Sequence, residues 1–313
     1  MTKGTMIISL DCEGKWGMID NLSTHHDQVI SSSALKLAYS ELAKLFKSFE
    51  VPATFAFVMA FILDESERKE FSEYLVDYQF GGESWLRNYN NAVAGQRFEG
   101  WHFPEGLDII RNDPAHEIAC HSLRHSNFNE RLLTESDVKV EMQGIGAIAR
   151  KKRIDLKTFI FPRNQVGFLK QLHRNGFIGY RDRLNMRSGL ARKILSFAKE
   201  FNVAEGSQPK NEIKNSELIV IPSGYFFNWR YGSRRLIPKS ITLARWKSAI
   251  DAACKNGGVV HLWFHPHNLI DGPSGLEVLK DVLKIASKRR DAGDLKILTQ
   301  LQYCNQNVFK IQM

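Results

Sequence analysis

Two histidines four residues apart, His121 and His125, stand in the run Ile118-Ala-Cys-His-Ser-Leu-Arg-His-Ser-Asn-Phe128, directly after a short apolar segment. If the chain coils after Cys120, residues i and i+4 share one face a turn apart. Two neutral imidazoles held that way can grip one divalent metal. The chain has ten histidines, so the pair can equally be two solvated or core side chains. A catalytic metal site takes three protein groups and leaves one position for water. Asp11 or Glu13 can supply the third. In an extended Asp11-Cys12-Glu13 both carboxylates point to one face, so one can bind metal while the other takes a proton from water. Without the histidines they would read as two solvated carboxylates at a strand end. The segment Val259-Val-His261-Leu-Trp263-Phe-His265-Pro-His267 also alternates. His261, Trp263, His265 and His267 share one side and Val260, Leu262 and Phe264 the other. Buried histidines are commonly hydrogen-bonded core residues; His265, nearest the end of the strand, is the one expected to do chemistry.

Those residues need a scaffold that brings strand ends together. Met6–Leu10 reads as a buried strand of the parallel type, and Val51–Val58, Glu117–Cys120, Thr158–Phe161, Phe177–Tyr180, Leu218–Ile221, Gly258–Phe264 and Asp294–Leu301 read as further strands. Between them, helical spacing marks Ser31–Phe49, Asp64–Asp77, Gly106–Asn112, Thr134–Lys152, a stretch ending near Asn175, Thr242–Lys255 and Leu276–Arg289. Residues 79–104 and 181–240 are irregular insertions in what is otherwise one domain over 1–313. Alternation from end to end implies a parallel sheet with helical crossovers, and about eight repeats suggest closure into a barrel. In such barrels chemistry sits at the carboxyl ends of strands. Asp11, Glu13, His121, Arg163 and His265 all fall there.

The 313 residues are 43% hydrophobic and 25% charged, the composition of a globular protein able to bury a large core. The formal charge of +9 favours anionic partners, although a merely basic surface gives the same number. Four cysteines, Cys12, Cys120, Cys254 and Cys304, lack metal-finger spacing. The N-terminus has no signal-peptide pattern and no run is long enough to span a membrane. A reducing cytoplasm is therefore the expected location.

In this order, Asp11-Cys-Glu13, Val51-Pro-Ala-Thr-Phe-Ala-Phe, His121-Ser-Leu-Arg-His125, Phe161-Pro-Arg163 and Trp263-Phe-His265-Pro resemble the motifs of the polysaccharide deacetylases, the NodB-homology group of carbohydrate esterase family 4. The resemblance implies a distorted (β/α) barrel and a metal-dependent amide hydrolase acting on N-acylated sugars. It implies Asp11 as general base, Glu13, His121 and His125 as ligands of a metal that is often zinc, Arg163 as the group orienting Asp11, and His265 as general acid. The backbone N–H near residue 164 would help hold the oxyanion. Three departures stand out: Glu13 where many members carry Asp, with Cys12 intervening; Pro162 before Arg163; and Trp263 where leucine is usual, which would reshape the acyl pocket. Cys12 could ligate, with burial favoured.

For the substrate, one basic cluster is Arg181, Arg183, Arg187, Arg192 and Lys193. A second is Arg230, Arg234, Arg235 and Lys239, after Tyr225-Phe-Phe-Asn-Trp229. Arginines beside aromatics can bind phosphate and stack a sugar, which suits a nucleotide- or lipid-diphosphate-linked amino sugar, with contact to a membrane surface. A solvated face fits as well. Trp85 and Trp101 are candidates to stack on sugar rings, or else core or lid residues; Trp263 and Tyr225 are the other two substrate-binding candidates. The rivals are a deformylase or cyclic-amide hydrolase on the same fold, a non-catalytic carbohydrate-binding member, and a nucleic-acid binder. The last rests on charge alone, with no recognition motif behind it.

Overall fold

A computed structural model describes residues 3–183, 217–227 and 230–308. Its strands are β1 (Gly4–Cys12), β2 (Thr54–Phe57), β3 (Gln79–Phe80), β4 (Glu83–Ser84), β5 (Glu117–Cys120), β6 (Thr158–Phe159), β7 (Gly179–Arg181), β8 (Ile219–Ile221), β9 (Tyr225–Phe226), β10 (Val259–Phe264) and β11 (Leu295–Leu298). Apart from the small antiparallel β3–β4 hairpin they form one parallel sheet in the order β8-β7-β6-β5-β2-β1-β10-β9, with β11 also on β1. β1 is its centre: Thr5–Leu10 pair with β10, Gly4–Ile7 with β11 and Ser9–Cys12 with β2. Every residue of β1 is buried, as expected of a parallel strand covered on both faces.

The two ends of the sheet are drawn together by one passage of chain. Ile219–Ile221 pair with β7, and after three intervening residues Tyr225–Phe226 pair with β10. His261 Nδ1 donates to the Pro222 carbonyl at 2.6 Å across this join. Gly224 makes it possible: its φ is +71° and a Cβ there would lie 2.4 Å from the His261 carbonyl oxygen. The result is a curled parallel sheet, the distorted barrel that the family resemblance implies.

Helices pack outside. Ser32–Ser48 is capped by the Ser31 hydroxyl, which accepts from Ala34 N–H, and buries Leu35, Ala38, Tyr39, Leu42 and Phe46. Glu135–Lys152 starts with a Thr134/Asp137 capping box and buries Val138, Glu141, Met142, Ile145 and Ile148. Local readings differ from the structure in three places. The polar helix expected over 64–77 stops at Glu70 and resumes as a short 3-10 turn. The irregular 79–104 stretch holds a helix, Arg87–Ala94. The last strand ends at Leu298, and Gln300–Val308 is helical. Arg187, Arg192, Lys193 and Trp229 lie outside the described residues.

Candidate active site

At the carboxyl end of the sheet three donors converge. Glu13 follows β1, and its Oε2 lies 3.0 Å from His121 Nε2 and 2.9 Å from His125 Nε2. The ligand atoms of all three lie within 4.8 Å of one another. The ring of His121 is fixed by Nδ1, which sits 2.8 Å from the Ile160 carbonyl. A carbonyl only accepts, so Nδ1 carries a proton. His121 Nε2 then faces a carboxylate oxygen at 3.0 Å, and a cation held between the two would serve both as ligands. This is the arrangement of a metal-ligating histidine held by a backbone carbonyl. Burial lowers the pKa of His125 to about 4 against the pull of Glu13, so it is neutral at pH 7, the form a metal needs. Burial raises the Glu13 carboxyl, but the imidazoles set around it, His265 first and then His125 and His121, outweigh this and hold the group well below the usual range. These residues fit a divalent metal. Gly17 leaves room for the carboxylate, since a Cβ there would fall 1.8 Å from Glu13 Oε1.

The histidines do not share a helix face. Ser122 and His125 have φ of +68° and +54°, so the chain turns tightly and still brings the two rings to 5.1 Å. Left-handed backbone at non-glycine residues needs support, and Glu141 supplies it. Fully buried, this carboxylate accepts from Leu123 N–H at 2.9 Å, Arg124 Nε at 2.8 Å and Ser126 Oγ at 2.5 Å. Ser126 N–H donates to Ser122 Oγ at 3.1 Å. Arg124 is in turn anchored on the Tyr74 and Val76 carbonyls. Sequence reading missed Glu141 because an isolated glutamate in an amphipathic helix carries no signal of its own.

Asp11 lies on the same side as Glu13, as period two requires. Its partner is Arg181, the last residue of β7. The guanidinium donates from Nη1 to Oδ1 at 2.8 Å and from Nη2 to Oδ2 at 2.7 Å, with both residues almost fully buried. Burial raises the Asp11 carboxyl, but Arg181 chiefly, with His121 and His265, more than reverses this and lowers it. Arg163, expected in that role, instead pairs with Asp20 at the surface; its backbone is left-handed, with φ +56°, and the side chain leaves the Asp11 clamp to Arg181. The N–H of Asn164, expected to face an oxyanion, is already bonded to the Phe161 carbonyl at 3.0 Å.

His265 faces the carboxylates, its Nε2 3.4 Å from Glu13 Oε1 and 3.9 Å from Asp11 Oδ2. Its Nδ1 is 3.0 Å from Asn268 Oδ1, which also accepts from the His265 N–H at 3.2 Å, and the His267 ring stacks on it at 5.0 Å. His261 is a hydrogen-bonded core residue, with Nε2 2.8 Å from Ser9 Oγ. Of the four aromatic candidates only Trp263 reaches the site. It lies under the Arg181 guanidinium at 4.5 Å and beside Phe226 at 4.8 Å. Tyr225 faces the other way, toward Trp246 and Arg245, so Phe226 is the one beside His265, at 5.7 Å. Trp85 and Trp101 are core residues: Trp85 stacks on Tyr78 and Trp101 packs edge-on against Trp16. Cys12 points into the core, where burial pushes its thiol well above the usual range.

A parallel sheet curled into a distorted (β/α) barrel is the fold of the polysaccharide deacetylases. No family model matches the sequence and no curated protein matches it. Among solved structures, a Mycobacterium smegmatis protein assigned to the polysaccharide deacetylases is similar over 98% of this chain and 91% of its own, at 16% identity and a TM-score of 0.61. The allantoinase PuuE is similar over 97% and 89%, at 13% identity and a TM-score of 0.54. A Pseudomonas aeruginosa protein, also assigned to the polysaccharide deacetylases, is similar over 97% and 90%, at 12% identity and a TM-score of 0.54.

Proposed function

We propose that this protein is a metal-dependent amide hydrolase of the polysaccharide deacetylase family, removing an N-acetyl group from an amino sugar during synthesis of a surface polysaccharide or lipopolysaccharide. The observation that carries the reading is the Glu13 carboxylate set between the Nε2 atoms of His121 and His125, with a clamped aspartate and a histidine beside it. Glu13, His121 and His125 would hold the metal, zinc in this reading. A bound divalent ion supplies Lewis acidity, polarising an acyl carbonyl and making water nucleophilic near neutral pH.

The protein's own groups do the proton transfers. Asp11, kept ionised by Arg181, accepts the proton of the attacking water at a carboxylate oxygen. His265, about one-fifth exposed and oriented by Asn268, donates from Nε2 to the departing amine. Arg181 acts on the substrate only through Asp11, as a positioning residue. Trp263 and Phe226 wall the site on the His265 side and limit the acyl group.

The likeness to an allantoinase supports a second reading, hydrolysis of a cyclic amide. A non-catalytic role is disfavoured, because both the base and the acid candidates are in place. A panel of an N-acetyl amino sugar, its N-formyl counterpart and allantoin separates these: acetate release supports the proposal, and turnover of allantoin alone overturns it. For the substrate's form we propose a diphosphate-linked sugar. Equal affinity for the free and the diphosphate-linked sugar would end that part.

A further inference from the structure

Between Leu218 and Ile250 the sequence has no aspartate or glutamate, while Arg230, Arg234, Arg235, Lys239, Arg245 and Lys247 all fall there. Within this stretch Gly232–Leu236 forms a 3-10 turn, followed by the helix Lys239–Asn256. The turn sits on the rim of the candidate site. The Arg234 guanidinium lies 5.9 Å from the Phe226 ring, and Phe226 lies against His265. Tyr231 stacks on His25 at 5.1 Å, and His25 is 3.7 Å from Asp271, just beyond the His265 turn.

The turn also turns apolar groups outward. Leu236 is 76% exposed and Tyr231 40%. The neighbouring Ile237 is fully buried, so the turn is anchored and Leu236 projects from a fixed base. Arg235 and Lys239 are exposed on either side of Leu236, and Lys239 reaches Glu277. Arginines alone would serve a soluble phosphate. An apolar side chain held out between cations is what an anionic lipid surface accommodates, with the side chain among the acyl chains and the cations at the headgroups.

From this we infer that the rim Arg230–Lys239 docks on an anionic phospholipid bilayer, presenting the carboxyl end of the barrel to the membrane. Resting on the hydrolase reading, the inference narrows the substrate to an amino sugar carried on a lipid. The long apolar part of such a substrate stays in the bilayer while its headgroup reaches the rim, so the protein needs no membrane-spanning segment of its own. Docking is reversible and weakens as salt screens the arginines.

The test is flotation of the full-length protein with vesicles of phosphatidylcholine alone and with added phosphatidylglycerol. The wild type is expected to float with the anionic vesicles only. Arg234→Glu with Arg235→Glu should lower the bound fraction at least tenfold, and Leu236→Ser severalfold. A charge-matched reversal at two exposed lysines further along the helix Ser274–Asp291, Lys284→Glu with Lys288→Glu, controls for net charge and should leave binding within twofold. Thermal melting shows that each variant is folded. Hydrolysis of a soluble N-acetyl amino sugar is read in parallel, so loss of docking and failure of the hydrolase reading are told apart. Absence of wild-type binding to anionic vesicles overturns the inference. So does equal binding by the arginine variant, or a Leu236→Ser protein indistinguishable from wild type.

Discussion

Arg181→Gln, set beside Arg163→Gln, separates the group that serves Asp11 from the one that merely resembles it in sequence. Arg181 and Asp11 form a two-pronged ion pair with side chains only 1% and 4% exposed. Removing one partner of such a pair leaves a buried charge without its counterion, at a cost of about 3–5 kcal/mol. With an unfolding entropy of ~2.1 cal/mol/K per residue, a chain of 313 residues loses about 5–8 °C in Tm. Arg163 and Asp20 are 39% and 43% exposed, and a surface pair of that kind contributes at most ~1 kcal/mol, which is about 1–2 °C on the same conversion. Chemistry should follow the same order. With Arg181 gone, burial dominates at Asp11 and raises its pKa, so the acid limb of the rate profile moves to higher pH and kcat/KM at pH 7 falls by about 10²–10⁴. Arg181→Lys keeps a charge but not the fork and should recover part of both losses. Thermal melting and pH–rate profiles of the three variants decide the matter. An Arg163 variant as impaired as the Arg181 variant, or an Arg181→Gln protein within 1 °C of wild type, refutes the reasoning.

Glu141→Gln keeps the volume but removes the charge that holds Arg124, Leu123 N–H and Ser126; metal affinity should fall about 10–100-fold, measured by competition with a chelating dye, and an unchanged affinity would show that the loop holds itself. Stability should decline on acidification. Burial, with the charge of Arg68, lowers His102 to about 3 although the Ala60 carbonyl favours its charged form, so between pH 6.5 and about 3 the unfolded chain takes up a proton that the folded chain refuses. The stabilising contribution is complete above pH 7 and is lost as the pH falls, at up to ~1.4 kcal/mol per unit. His102→Gln should therefore flatten urea-unfolding stability between pH 6.5 and 4 relative to wild type, and parallel curves would contradict this.

Much of the frame could be read from the residues because β1 and β10 are long, wholly buried strands whose alternation is unambiguous. The same alternation placed Asp11 with Glu13 and His261 with Trp263 and His265. Where elements shrink, the pattern vanishes. β7 and β9 have three and two residues, too few to establish a face, so the sequence shows Arg181 only as part of a basic cluster and points to Tyr225 rather than Phe226. The His121–His125 turn is hidden for another reason: its left-handed residues are a serine and a histidine, held by contacts from a helix 15 to 18 residues further along. Trp85 and Trp101 show the limit of composition, since an aromatic-rich irregular stretch can as readily build core as line a cleft. The one legible hint for Arg181 is its place at a strand's carboxyl end, the property it shares with Asp11, Glu13, His121 and His265.

The most direct test is the metal content of the purified protein set against that of His121→Ala, with amide hydrolysis followed in both. One divalent ion per chain in the wild type, with both metal and turnover lost in the variant, is the expected result. A His121→Ala protein that keeps its ion, or a wild type that turns over equally fast after its ion has been stripped, would contradict the account.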